Sequence, residues 1–552
     1  MFNMEKKRAL FIRNVVLIIF ICLICRFFYL QLINAEKLTK QAYAQKMNNI
    51  RIEKERGDIL DRNGIPFTGT VPASSAVLKP LELRNNNEEV RFLSYVLNEN
   101  YNQIKDHIES KNSPILIETS ENAKKKILEF EISGVSFINY FKRYDNSSLA
   151  KHVIGYLNAV DKTGETGIEK KYEKYLAVNG QNSVAVIYDG FSNPIQGLGY
   201  RLITSGTDTE KINVKLTLDY HIQKIVEDVM ERNNIKGAVV IEDVYTGDII
   251  AMASKPDFNQ NRVTDYLNSS SNELFNRAVA SYNVGSVFKT VVAAAAIESG
   301  NLTNKKYYCP GYVKIGNIEF GCSKREGHGF VDFEDGFAYS CNTYFINLGI
   351  ELGAKSIINM AEKFGFGKPT GINNRGIDDS PGNIPAIKSI VTDGQIANIS
   401  IGQGDIMATP LQVADMIATI ANGGIKNSVN IVDSLIDSQD NIIQELKVKK
   451  GTRVISYSTA NILKSMMEDV VDKGTGKRAS LYLYGGAAGK TGSAEGPYVN
   501  GQKTVHAWFA GFFPRSSPKY AMAVFIENGR YGGEVAAPIF AEIAEEIMKS
   551  GL

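Results

Sequence analysis

The run Gly285-Ser286-Val287-Phe288-Lys289-Thr290-Val291-Val292-Ala293-Ala294-Ala295-Ala296-Ile297 puts a hydroxyl and an amine one helical turn apart. Gly285 interrupts what precedes it, and the alanine-rich run favours helix. Ser286 is therefore expected in the first turn, with Lys289 on the same face. A serine hydroxyl is a poor nucleophile until a base takes its proton. A lysine serves as that base when burial or a nearby cation lowers its pKa. The helix N-terminus adds free N–H groups and partial positive charge, which suit an oxyanion. Alone, Ser-x-x-Lys is also what a helix start with a surface lysine looks like.

Two further stretches change that reading. Ser340-Cys341-Asn342 falls in a helical region, and Lys490-Thr491-Gly492-Ser493 falls on a strand. S-x-x-K, S-x-N and K-T-G in this order form the motif set of penicillin-binding proteins and class A β-lactamases. A nucleotide-binding loop is the rival for Gly489-Lys490-Thr491, but it needs glycine five residues before Gly489, where Tyr484 stands.

With 552 residues the chain exceeds one ordinary core, so two or more globular units are expected. A net charge of +2, with no zinc-finger, RNP-like or basic-stripe pattern, sets nucleic acid aside. Lys6, Lys7, Arg8 and Arg13 precede an apolar run over residues 15–25 that continues through 27–33. That is long enough to cross a bilayer once, and the positive flank puts the N-terminus in the cytoplasm. A cleaved signal peptide is the competing reading, but Asn34-Ala35 lacks the matching earlier small residue. A single-pass anchor is expected, with everything after about residue 34 outside the cytoplasmic membrane.

Residues 36–55 read as a polar amphipathic helix running into extended chain. Residues 80–140 read as small helices and strands without catalytic signature. A boundary falls near 205–215, after which Asp219 is placed to cap a helix ending near Arg232. Residues 237–242 and 249–253 form a hairpin around Tyr245-Thr246-Gly247-Asp248. A long helical middle extends to about 425. Strands return near 484–493, 504–513 and 519–527, and a last helix runs from Pro538. Strands at both ends with helices between predict an α+β domain whose ends pair in one antiparallel sheet. The expected organisation is a cytoplasmic stub and anchor over 1–35, a non-catalytic pedestal over 36–213, and a catalytic domain over 214–552.

Five cysteines are present. Cys22 and Cys25 lie in the apolar run. Cys309, Cys322 and Cys341 cluster with His328 between the first two motifs, and thiolate and imidazole ligands suit tetrahedral zinc. Asp332 is a reserve ligand. A Cys309–Cys322 disulfide with a free Cys341 is the alternative outside the cell.

The chain resembles the class B penicillin-binding proteins, membrane-anchored peptidoglycan transpeptidases, and most resembles the division- and sporulation-type group of Gram-positive bacteria. Besides the three motifs, the resemblance rests on the Arg56-Gly57 to Gly64 segment, His152 to Leu157 and Gly164 to Glu169. It extends to Gly237-Ala238-Val239-Val240, Ile401-Gly402-Gln403-Gly404 with Thr409-Pro410, Ala421-Asn422-Gly423-Gly424, and Gly474-Thr475-Gly476. It implies a penicillin-binding, serine β-lactamase-like fold with an elongated pedestal.

The resemblance further implies that Ser286 attacks the carbonyl of a D-Ala-D-Ala stem peptide and Lys289 takes its proton. Ser340 would relay a proton to the leaving amine, Asn342 would orient Lys289 and the substrate amide, and Lys490 would add positive potential. Thr491 and Ser493 would bind the substrate carboxylate, and Gly492 would let the strand come close. The N–H groups of Ser286 and Ser493 would form the oxyanion hole. No cofactor is needed for this chemistry, and β-lactams would block it covalently. Implied partners are a membrane-embedded glycan polymerase and proteins of division, elongation or sporulation. A catalytically weak penicillin-binding scaffold is the alternative. Two departures from the family pattern stand out: Val284 where proline is usual, and Ser493 where the third motif usually has threonine.

Overall fold

Successive residues of Ala238-Val239-Val240-Ile241 enter two different cores. Ala238 and Val240 join one cluster, which also holds Ala521, Ala523 and Phe525. Val239 and Ile241 join another, with Met522, Val524 and Ile526. Side chains alternate across a strand, so an apolar residue at every position means a sheet covered on both faces. The computed structural model describes residues 2–34, 47–51, 56–110, 114–132, 134–145, 147–159, 161–177, 181–187, 200–205, 211–300, 303–499 and 501–552.

The chain forms two compact units. The larger gathers Arg56–Val71, Phe141–Val178 and Glu210–Leu552. Within it, Asp219 accepts hydrogen bonds from the backbone of His221 and Ile222 and so starts α1 (Tyr220–Arg232), as the sequence predicts. The expected hairpin follows as β1 (Gly237–Asp243) and β2 (Ile249–Lys255). After the Ser-x-x-Lys turn comes α2 (Lys289–Ser299).

The middle region is less helical than its sequence suggests. Four short strands follow α2: β3 (Tyr307–Cys309), β4 (Tyr312–Ile315), β5 (Ile318–Gly321) and β6 (Gly329–Val331). They pair β3 with β6 and β4 with β5. Runs of three or four residues are too short to display an alternating pattern. Next come α3 (Phe333–Ala338), α4 (Asn342–Phe364), α5 (Pro410–Ala421) and α6 (Tyr457–Asp472). Every residue of α5 is buried, and it packs against β1 and β9. The chain ends in β7 (Ala488–Val499), β8 (Gln502–Phe513), β9 (Tyr520–Ile526) and α7 (Ala536–Lys549).

The main sheet has the order β2-β1-β9-β8-β7, antiparallel throughout. The two ends of the domain thus meet in one sheet, with the third motif on its edge strand β7. The Arg56-Gly57 segment serves as a buried ionic anchor in the same unit. Arg56 pairs with Glu169 at 2.8 Å and Glu173 at 2.7 Å, and Arg143 pairs with the other oxygen of Glu169 at 2.7 Å. Glu169 is fully buried, so these charges are held by one another, and losing one partner would strand a charge.

The smaller unit holds Met1–Glu55, Pro72–Tyr140 and Asn179–Thr209. Its N-terminal helix contains a segment, Leu10–Gln31, long and apolar enough to cross a membrane. The amphipathic helix expected from residue 36 lies outside the described residues up to 46, and Met47–Arg51 is a strand. Between residues 72 and 140, strands of a three-stranded sheet and, among the described residues, four short helices enclose a separate small core that includes Leu83, Leu93 and Ile104.

Candidate active site

Ser286 sits in a 3-10 turn, Gly285–Phe288, that leads directly into α2. The turn is pressed onto the edge of the main sheet. A Cβ on Gly285 would stand 2.5 Å from the Ser493 carbonyl oxygen, and its φ of +56° is one that L side chains rarely adopt. Only glycine satisfies both demands. From the other side, a Cβ on Gly492 would lie 2.9 Å from the Val284 carbonyl oxygen. First and third motifs therefore meet because each has a glycine where the other's backbone passes.

Lys289 is fully buried among groups of the second motif. Its Nζ donates to the Ser340 carbonyl at 2.7 Å, the Ser340 hydroxyl at 3.2 Å and Asn342 Oδ1 at 2.7 Å. All three acceptors are neutral. Burial pulls the lysine pKa down to about 8, opposed by thiol groups of Cys341 and Cys322. Ser340 follows α3 with φ +56°, strained for a non-glycine residue. That conformation lets its carbonyl and hydroxyl face the same amine. Asn342 begins α4, and its Nδ2 donates to the Gly321 carbonyl at 2.9 Å.

Lys490 is equally buried, facing into the domain from β7, with Nζ 3.3 Å from the Thr491 carbonyl and 5.5 Å from the Phe337 ring centre. Burial first, and the charge of Lys289 second, push its pKa well below the ordinary lysine range. The two lysines thus compete, and Lys289 has the better acceptors. The Thr491 hydroxyl is 2.6 Å from the Thr475 hydroxyl, and the Ser493 hydroxyl accepts from the Gly532 N–H at 3.2 Å.

β7 is an edge strand, and its free side meets Gln403 as well as the Ser286 turn. Gln403 donates to the Ser493 carbonyl and accepts from the Glu495 N–H, both at 3.4 Å. In an antiparallel ladder a residue's N–H and C=O point the same way, so the Ser493 N–H faces that free edge too. Gln403 and Thr475 lie in stretches the sequence marks, yet their contacts to the third motif have no local signature.

The sulfur and nitrogen atoms of Cys309, Cys322, His328 and Cys341 all lie within 4.8 Å of one another. His328 Nδ1 is 3.6 Å from Cys309 Sγ and 3.5 Å from Cys322 Sγ, and Cys322 Sγ is 3.9 Å from Cys341 Sγ. Tetrahedral zinc with its usual bond lengths would separate such atoms by roughly 3.5–3.8 Å, so the donor set fits that ion. All three thiols are free rather than bridged. Asp332 stands apart from the cluster: its carboxylate accepts from the Asp335 N–H and caps α3.

A buried amine of lowered pKa beside a serine turn, with a hydroxyl and an amide around it, defines a serine acyl-transfer site. Residues 237–545 match the penicillin binding protein transpeptidase domain, and residues 51–192 match the penicillin-binding protein dimerisation domain. The chain belongs to the penicillin-binding protein transpeptidase family. It is 29% identical over 573 residues to stage V sporulation protein D of Bacillus subtilis, covering 98% of this chain and 85% of that one. It is 29% identical over 601 residues to the peptidoglycan D,D-transpeptidase MrdA of Acinetobacter baumannii, covering 97% and 87%. Penicillin-binding protein A of M. tuberculosis, solved as a ceftriaxone acyl-enzyme complex, aligns with a TM-score of 0.56 at 29% identity, over 61% of this chain and 80% of that one.

Proposed function

We propose that this chain is a serine D,D-transpeptidase that cross-links peptidoglycan stem peptides and is acylated by β-lactams. The observation that carries the reading is the amine of Lys289, buried against Ser340 and Asn342 with a pKa near 8. Lys289 accepts the proton of Ser286 as its Oγ adds to the carbonyl of the penultimate D-Ala. The oxyanion is held by the N–H groups of Ser286 and Ser493. The intermediate collapses, the peptide C–N bond breaks, and Ser340 gives its proton to the departing D-Ala amine while taking the one held on Lys289. A second stem's amine then attacks the ester, releasing Ser286 and forming the cross-link.

Thr491 and Ser493 hold the substrate carboxylate, with Gly492 giving room for a strand-like donor peptide along β7. That carboxylate draws a proton onto Lys490, and the resulting charge favours the free base on Lys289. This reverses the apo balance, in which the charge of Lys289 depresses Lys490.

The N-terminal helix anchors the chain with its first residues in the cytoplasm and the transpeptidase outside. Along the sequence, 1–35 serves as anchor, 36–213 as pedestal and 214–552 as catalytic domain. A membrane-embedded glycan polymerase and division, elongation or sporulation proteins are the partners this arrangement fits.

Cys309, Cys322, His328 and Cys341 hold a structural zinc ion that ties the β3–β6 insert to the start of α4, next to Ser340 and Asn342. The chemistry itself uses no cofactor.

The direct test gives the full-length protein in detergent a D-Ala-D-Ala stem pentapeptide and an amine acceptor, with products followed by mass spectrometry. Release of D-Ala together with a transfer product is expected. Binding of penicillin without either product would assign a scaffold role instead.

A further inference from the structure

The turn Gly474-Thr475-Gly476 is wedged between the second and third motifs. The Thr475 N–H donates to the Ala338 carbonyl at 3.1 Å, at the end of the helix that delivers Ser340. A Cβ on Gly474 would stand 2.1 Å from that same carbonyl oxygen, so the backbone lies flush against α3. On the other side, Thr475 Oγ1 is 2.6 Å from Thr491 Oγ1. Among the described residues Thr475 is the one hydrogen-bond partner of the Thr491 hydroxyl. Thr475 itself is exposed at the rim, while Thr491 is 6% exposed.

A hydroxyl has a single proton and a carboxylate only accepts. If Thr491 donates to a substrate carboxylate, its oxygen can receive from Thr475 but cannot also donate to it. The direction of the chain is then fixed: Thr475 donates to Thr491, and Thr491 donates to the anion. Each donor in such a chain polarises the next, and the second link is strengthened by the charge it meets.

We propose that Thr475 is a positioning residue for carboxylate recognition, acting through Thr491. It holds the Thr491 hydroxyl in the orientation that presents its proton to the anion, and fixes that orientation relative to the Ser340 segment through Ala338. The proposal rests on Thr491 being a carboxylate contact, as proposed above.

The test uses full-length protein with Thr475→Val, which removes the hydroxyl at nearly constant shape, and Thr475→Ser, which restores it. Acylation is measured with a penicillin carrying its free carboxylate and with the methyl ester of the same compound, separating the binding constant from the limiting acylation rate. For Thr475→Val the expected result is binding of the acid weakened about tenfold, a limiting rate within about twofold of wild type, and an unchanged ester. Thr475→Ser should recover wild-type binding of the acid. An unaltered Thr475→Val, an equal loss on acid and ester, or a loss confined to the limiting rate would overturn the proposal. If wild-type protein does not distinguish acid from ester at all, the carboxylate role of Thr491 fails first, and that of Thr475 with it.

Discussion

Asn342 holds Lys289 while being held itself. Its Oδ1 accepts a hydrogen bond from Lys289 Nζ at 2.7 Å, and its Nδ2 donates to the Gly321 carbonyl at 2.9 Å. The side-chain amide cannot turn without breaking one bond or pairing like with like. Asn342→Ala should therefore lower the acylation rate on the order of 100-fold by freeing the amine. Asn342→Asp places an anion beside Lys289, raises its pKa and moves the pH profile of acylation to higher pH. Stopped-flow acylation of both variants checks this, and an unshifted profile for Asn342→Asp would count against the contact.

Burial lowers the pKa of Lys289 to about 8, and the free amine is the form that acts as base. The second-order acylation constant should rise with pH through about 8 and level off above it, since this constant reports ionisations of the free enzyme. A profile flat from pH 6 to 9 would remove Lys289 from the role of base.

Gly285 is restricted by backbone conformation and by the nearness of Ser493. Gly285→Ala imposes a left-handed conformation costing roughly 1–2 kcal/mol from φ alone, and adds a methyl 2.5 Å from the Ser493 carbonyl oxygen. Thermal unfolding should shift down, and acylation should fall more than the lost stability explains, because the nucleophile turn must back away from β7. Wild-type acylation in the variant would contradict the close approach of the two motifs.

Zinc in the thiol cluster makes a separable prediction. Purified full-length protein should carry about one zinc per chain, and Cys341→Ser or chelation should release it and lower the unfolding temperature. The exposed pair Cys22 and Cys25 lies in the membrane helix, so their serine variants should leave the metal content unchanged. Metal analysis by mass spectrometry reads both, and a metal-free wild type would sink the zinc reading.

Much of this architecture is legible in the chain because local chemistry and tertiary role agree. Asp219 caps the helix its sequence announces, and the Ala-rich run after Lys289 is helical. The short strands of the cysteine-bearing insert are less legible, since strands of three or four residues carry no periodicity. Asp332 looked like a reserve ligand by composition, but its position before α3 made it a cap. The partnerships of Thr475 with Thr491 and of Gln403 with Ser493 join residues 16 and 90 positions apart. They depend on how the sheet edge meets its neighbours, which no local pattern encodes.

The most direct measurement is the intact mass of full-length protein after exposure to a penicillin, with the adduct mapped by peptide sequencing. Wild type should gain one acyl group on Ser286, while Ser286→Ala gains none and Lys289→Ala, still folded by thermal unfolding, gains it only far more slowly. An adduct in Ser286→Ala, or a wild-type adduct mapping to another residue, would contradict the assignment of Ser286 as the nucleophile.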